Sequence, residues 1–569
     1  MRIRCAAALA LLTAGALPAA AQDVPYGVAC AGQRINAITV RPLPPLEHPS
    51  KNWWDTPVSM MNSSHTTTKA GVISALLLFQ VGEPCIEYQR LESERVLRAQ
   101  PFIADAHIEI YADSGGTVSV IVNTQDEFTF ILAGRFSGRS PYVTSLTVGD
   151  GDLGGSGSSL AVNWTHTVDR EGFGAAFTSY AFLGNPWQLQ LAAARGATGV
   201  SSYLGDISHP FYSDAQRNAW RGSVVDATLL TPFQRADTAA FSLIEERQFF
   251  YAGSAQRLGK PGSVTLLGLA LSSEYDASSV PPTGVDSTVD YDSLLARYAP
   301  RRSVRLNLLA QYRHLAYQRG VRLATVNSSQ DIRTGVEFDA HLARGFGGFD
   351  KSVADVFASS GLFLGAGSRL SFTYLQLLFE ARRGDGAEAW TDAIGSARAR
   401  WYHRVTETNT LIFDGEFGGG WRTTRPFELN IGQPDGGVRG YGASHDAGGS
   451  RAAIKLENRW FAGTMRNRVD LGLAAFVDAG KVWAGDVPYG TTTPVKVGVG
   501  VGLLAATPVG SRRTYRMDIA FPVSPDKYAR WEVRLTVINI AELGAILEPI
   551  DVRFGREFVS TSASYTYPR

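Results

Sequence analysis

From Asp126 onward the chain alternates apolar and polar residues in stretches of about ten, broken by Gly, Asp, Pro and Ser, and no helical period returns. In RNRVDLGLAAFVDAGKVW, Val469, Leu471, Leu473, Ala475 and Val477 share one parity, while Asp470, Gly472, Ala474, Asp478 and Gly480 share the other. RTYRMDIAF sets Tyr515, Met517, Ile519 and Phe521 against Arg516 and Asp518. RWEVRLTVIN likewise sets Trp531, Val533, Leu535 and Val537 against Glu532 and Arg534. Successive side chains of a strand point to opposite faces, so one face of each strand asks for hydrocarbon and the other for water.

A soluble β-sandwich alternates too. The number of consecutive strands and the large residues on the outward parity favour instead a transmembrane antiparallel β-barrel, because a closed sheet is the one sheet that leaves no unpaired edge in lipid. At roughly 27 residues per strand with its connection, the chain after Asp126 accommodates about sixteen strands. The barrel is expected over 127–539, with 540–569 as a C-terminal extension whose stretch IDVRFGREF could itself be an extra or closing strand.

Ahead of the barrel the periods are mixed. RINAITV reads as a strand that ends at Pro42, Pro44 and Pro45. Helical spacing follows over 69–79 and again over 87–99, where Glu94 and Arg98 stand at i, i+4 and predict an exposed helix face. AHIEIYA and TVSVIVN, joined through Ser-Gly-Gly at 114–116, read as a hairpin with Val118, Val120 and Val122 on one face. Residues 34–126 therefore form a small α+β domain.

The first residues place both domains. Arg2 and Arg4, an apolar run over 5–17 and Ala19 to Ala21 have the charge, core and small-residue cleavage site of a secretory signal over 1–21, followed by a short linker over 22–33. No later stretch reaches the roughly 18 apolar residues of a spanning helix; 70–81 comes nearest and reads as a buried helix. In an oxidising compartment Cys30 and Cys85 are an even pair, able to form a disulfide or to stand as two free thiols. The 59 glycines and abundant aromatics suit many short strands joined by turns, and the near-neutral, evenly spread charge provides no stripe for nucleic acid.

Candidate catalytic motifs fail on spacing. GSAQRLGK at 253–260 has one residue too many for a phosphate-binding loop and continues into Pro261, so no nucleotide is expected. Ser444, His445 and Asp446 are adjacent, which points their side chains apart instead of into a relay. GVGVG at 498–502 lies in a strand with no helix after it and marks close packing or a bend. The nine histidines show no metal-ligand spacing. The expectation is a non-enzyme with no metal and no cofactor.

One loop stands out. GQPDGGVRGYGASHDAGG, 432–449, carries a single arginine on a glycine-rich tract. In the following segment, SRAAIKLENRWF, parity sends Ala452, Ile454 and Leu456 outward and Lys455, Glu457 and Arg459 into the lumen, where Asp478 also points. If the loop folds inward, the planar fork of Arg439 can serve both Glu457 and Asp478; otherwise Arg439 is an exposed loop arginine.

GGVRGYG, KLENRWF and FVDAGKVW, with NSSHTTTKAGVISALLLFQVGE and LESERVLRAQPFIADAHIEIYADSGGTVSVIVNTQDEF ahead of the barrel, resemble the BamA/TamA family of outer-membrane assembly proteins. The resemblance covers nearly the whole mature chain. It implies one polypeptide-transport-associated (POTRA) domain in the periplasm, before a bacterial-surface-antigen barrel of sixteen strands in the outer membrane. It further implies an inward loop whose Val438, Arg439, Gly440 and Tyr441 form a latch. The acceptors are then Glu457 and Asp478, with Phe476 and Gly480 framing the second. By the same resemblance the protein inserts outer-membrane proteins or moves polypeptides. Extended clients would be received on POTRA strand edges, the barrel would open along a weak first-to-last seam, and the partners would be outer-membrane lipids and unfolded clients. The chain departs from the family in having one POTRA domain where the best-known members have several, and in continuing some thirty residues past 529–538. A passive outer-membrane pore or structural barrel, and a two-partner secretion transporter, are the alternatives.

Overall fold

The computed structural model describes residues 28–45, 65–137, 142–166, 171–196, 200–235, 240–282, 285–348, 352–539, 542–544, 548–556 and 565. The expected signal, 1–21, and the first half of the linker, 22–27 of 22–33, lie outside them.

The N-terminal unit is a four-stranded sheet in the order Pro84–Ile86, Ala31–Leu43, Val118–Asp126, Ile103–Ala112. Ala31–Leu43 runs parallel to Val118–Asp126, with Val40 beside Val122. The alternating valines of the hairpin are buried with Ile73, Val96, Leu97 and Phe102 in one core. Cys30 and Cys85 are joined by a disulfide, their Cα atoms 4.9 Å apart.

Two expectations for this unit change. The first helix, α1, covers only Ala70–Ala75, because the Leu78 N–H turns to Ser93 Oγ (3.0 Å) instead of continuing the helical ladder. The second, α2, spans Glu87–Arg98, yet Glu94 and Arg98 are buried instead of lining an exposed face. Glu94 accepts from the Ile108 N–H (2.8 Å), and Arg98 pairs with Asp331 of the barrel (3.2 Å).

The remainder closes into an antiparallel barrel of 20 strands, not sixteen. The difference lies in strand length. The first six barrel strands, from Phe130–Ser137 to Ser201–His209, have only eight or nine residues each and short connections. The five from Asn218–Phe233 to Ser329–Gly345 have 16 to 21. The wall is low where it begins and high opposite.

Outward parity is apolar throughout: Leu267, Leu269 and Leu271 are exposed on one strand and Val499, Val501 and Leu503 on another. Inward parity is charged and buried, as in Glu274, Arg305, Asp414 and Arg516. Among the described residues no helix is long and apolar enough to cross a membrane.

Closure is made by Glu532–Asn539 pairing with Phe130–Ser137. Among the described residues the extension adds no full strand to the wall. Glu542 and Leu543 form a two-residue parallel ladder with Asp331 and Ile332, and the stretch considered as a strand is a short helix over Ile550–Gly555 within the lumen.

The two units are bonded together. Glu127 accepts from the Arg512 N–H (3.0 Å), Arg95 donates to the Tyr212 carbonyl (2.7 Å), and the Arg95 guanidinium lies 4.5 Å from the centroid of Tyr317. A buried polar cluster completes the junction: the Thr68 N–H donates to Asp126 (2.7 Å), and the Thr68 hydroxyl donates to Asp152 (2.8 Å) in a turn between barrel strands.

Candidate functional site

The loop between Asn409–Trp421 and Ser450–Met465 turns into the lumen. A short ladder, Leu429–Asn430 on Ala447–Gly448, pinches its base. Within it Val438 and Tyr441 are fully buried with Ile431 and Val482. The backbone needs glycine at Gly440, whose φ is +93° and whose N–H donates to Glu532 (3.1 Å). The Tyr441 hydroxyl lies within hydrogen-bond reach of the Val497 and Ser524 carbonyls (3.0 and 2.9 Å) and accepts from the Ser524 N–H (3.1 Å).

Arg439 reaches both acids named from the sequence. Nε and Nη2 donate to the two oxygens of Asp478 (2.7 and 2.8 Å), the backbone N–H adds a third bond to Asp478 (3.2 Å), and Nη1 donates to Glu457 (3.1 Å). The guanidinium lies over the Phe476 ring at 3.4 Å from its centroid. The glycines make room for this approach. A Cβ on Gly480 would stand 2.6 Å from Val438, and one on Gly498 would stand 2.1 Å from the Arg439 carbonyl oxygen. The GVGVG stretch is thus a packing floor: Gly498 receives the loop backbone and Gly500 the Phe476 ring.

The site is larger than the pairings expected from the sequence. Arg516 binds Glu457 with both terminal nitrogens (2.7 and 2.8 Å) and Asp518 through Nε (2.8 Å). Arg459 adds a further ion pair to Glu457, and Asp518 stands 3.5 Å from Arg439. Three arginines, Arg439, Arg459 and Arg516, thus face three carboxylates, Glu457, Asp478 and Asp518, so the buried network balances its formal charge. The signal for Arg516 and Asp518 was the inward parity of RTYRMDIAF, which shows their face but not their neighbours. Such an array serves to hold the loop. It aligns no nucleophile with a base, and Ser444, His445 and Asp446 disperse, Ser444 to Asp526, His445 onto the Tyr528 ring and Asp446 to Lys496. Among the described residues no cluster of His, Cys, Asp and Glu could hold a metal ion.

Residues 359–537 match the Omp85 superfamily domain. No curated protein matches the chain. Among solved structures the chain is similar to BamA from Haemophilus ducreyi lacking POTRA domains 1–3, at 12% identity, covering 89% of this chain and 85% of that one with a TM-score of 0.37. It is similar also to CdiB from Escherichia coli, at 12% identity, covering 89% and 77% with a TM-score of 0.41. At these values neither neighbour says anything about activity. The matched stretch runs from within the strand Asp355–Gly367 into the closing strand Glu532–Asn539 and contains the whole inward loop with its carboxylate partners, so that this part of the β-barrel is similar to the Omp85 superfamily domain.

Proposed function

We propose that this protein resides in the bacterial outer membrane and assists the insertion of outer-membrane proteins or the passage of polypeptides, acting through the seam of its barrel. In this reading the α+β unit is a periplasmic POTRA domain, Val438 to Tyr441 form a latch, and neither catalysis nor a cofactor is involved.

The observation that carries the proposal is the seam. The first and last strands pair at four positions only, Ser137 with Glu532, Phe136 with Val533, Arg135 with Arg534 and Gly134 with Leu535. Neighbouring strands elsewhere in the wall pair over longer runs, up to seventeen positions between Phe241–Lys260 and Ser263–Ser279. The seam is therefore the line along which the cylinder opens with the fewest hydrogen bonds lost. It also lies at the low side of the wall. An eight-residue strand extends about 26 Å and, tilted as barrel strands are, covers less than the roughly 25 Å apolar band of such proteins. Lipid beside the seam would have to thin, which eases entry of another strand.

Strand addition on the α+β unit is a weaker route. The outer edge of Ile103–Ala112 is already bonded: Ile108 N–H to Glu94 (2.8 Å), Ile108 carbonyl to Arg90 (3.0 Å), Ala106 carbonyl to Arg98 (3.4 Å) and Ile110 carbonyl to the Val28 N–H (3.0 Å). The opposite edge, Pro84–Ile86, is three residues long. A client strand would have to displace α2 side chains first. A passive open pore fits poorly with a lumen crossed by charge pairs such as Arg305–Asp355 and Arg398–Asp414.

A disulfide across the seam, Gly134→Cys with Leu535→Cys, tests the reading. Locked cells are expected to lose outer-membrane proteins or secreted polypeptides and to recover on reduction. Unchanged profiles in both locked and depleted cells would remove transport.

A further inference from the structure

The extension beyond the closing strand makes specific contacts along the inner wall. After the ladder at Asp331 and Ile332, Glu548 accepts from Ser396 (2.5 Å) and from Arg556 (2.9 and 2.8 Å). Arg556 also meets Glu380 of the wall (3.3 Å) and donates to the Ile394 and Leu378 carbonyls (3.3 Å each). Asp551 pairs with Arg451 (2.5 Å), and Arg247 donates to the Phe554 carbonyl (2.6 Å). Val552 is fully buried against Phe427 and Leu429 at the base of the inward loop. Tyr565 meets the strand that carries Arg247, Phe241–Lys260, its hydroxyl 2.7 Å from that of Tyr251 and its carbonyl accepting from the Phe211 N–H (2.7 Å).

The wall side chains among these partners, Arg247, Tyr251, Glu380 and Arg451, are buried on the inward parity of their strands, so the described residues of the extension sit in the lumen and not on the lipid face. They also belong to strands well apart around the barrel, from Phe241–Lys260 to Ser450–Met465, so residues 548–556 lie across its interior. Its anchorage is mostly polar, made of ion pairs and bonds to single carbonyls, with two ladder residues in place of a full strand. The wall is prepared for its departure. Arg451 keeps Glu416 at 3.7 Å and the Asn430 carbonyl (2.7 Å), and Arg247 keeps Glu245 (2.5 Å). Glu380 is the wall carboxylate the extension covers with an arginine.

We infer that the lumen wall formed by Arg247, Tyr251, Glu380, Ser396 and Arg451 is a peptide-binding site. Its ligand is a short segment with a helical turn, acidic at its start and ending in an arginine, and residues 548–556 with Tyr565 occupy it in cis as a displaceable plug. The inference needs only a membrane-spanning barrel, so failure of the transport reading leaves it standing.

The test uses the full chain in planar bilayers. Wild-type protein is expected to be nearly closed. The variant Asp551→Ala, Arg556→Ala, Tyr565→Ala is expected to conduct several-fold more, and a synthetic peptide of residues 548–569 is expected to close it again. The same peptide with Arg556→Glu is expected not to. Wild-type conductance in the folded triple variant, or equal closure by both peptides, would overturn the inference. Should the triple variant not fold, Arg556→Glu alone in an otherwise unchanged chain serves, since it sets a carboxylate against Glu380 and Glu548. It is expected to conduct more than the wild type, and wild-type conductance in the folded single variant would refute the plug.

Discussion

Arg98 and Asp331 lie 3.2 Å apart, joining the last turn of α2 to the inner end of a barrel strand that also carries the ladder to the C-terminal extension. One guanidinium thus connects the α+β unit, its sheet edge at Ala106 and the barrel. Arg98→Ala would leave Glu94 and Asp331 buried with fewer partners, a cost of about 1–3 kcal/mol. Amide exchange in α2 and in 331–333 is expected to quicken together, and Asp331→Asn in the same chain is expected to recover part of the loss.

Arg439→Ala removes the two guanidinium bonds from Asp478, which is wholly buried and keeps only the backbone N–H of residue 439 from this set, while Glu457 keeps Arg459 and Arg516. The stranded charge is therefore Asp478 alone, and the loss is about 3–5 kcal/mol. The temperature at which the folded band disappears on a gel should fall. Arg439→Ala with Asp478→Asn should be more stable than Arg439→Ala alone.

Gly498→Ala places a methyl carbon 2.1 Å from the Arg439 carbonyl oxygen, and both are backbone-held. The loop must shift, at about 1–3 kcal/mol. Faster proteolysis within 432–449, with the barrel itself still resistant, is the expected readout.

Burial pushes the Asp152 carboxyl up to about 6, against the opposing hydrogen bonds from Thr68 and the Gly157 N–H. A carboxyl whose folded value is raised favours the fold while protonated, so its contribution is complete below the ordinary value of 3.8 and lost as pH rises through about 6. The junction between the units should hold more tightly at pH 5 than at pH 7.5, measured as amide exchange in 66–69 and 152–157. Asp152→Asn should flatten that difference.

Parity along RNRVDLGLAAFVDAGKVW and its companions was enough to show a barrel with an apolar exterior, because the two-residue period is local and a lipid exterior leaves little choice of face. It was enough, too, to point Glu457 and Asp478 inward. Strand number was not legible, since a nine-residue strand on a tight turn and a twenty-residue strand on a long loop leave similar alternation. Nor did a helical i, i+4 pair reveal that Glu94 and Arg98 were turned toward a sheet edge and a barrel.

By itself the sequence determined the class of sheet, the small α+β unit and the inward face of the charged side chains in the barrel strands it singled out. Only the tertiary structure decided which of those inward charges meet: that Arg516 shares Glu457 with Arg439, and that Arg556 returns to Glu380. The reason is physical. Which face a residue takes follows from its immediate neighbours, whereas partners across a closed lumen are set by strand count and register, properties of the whole cylinder.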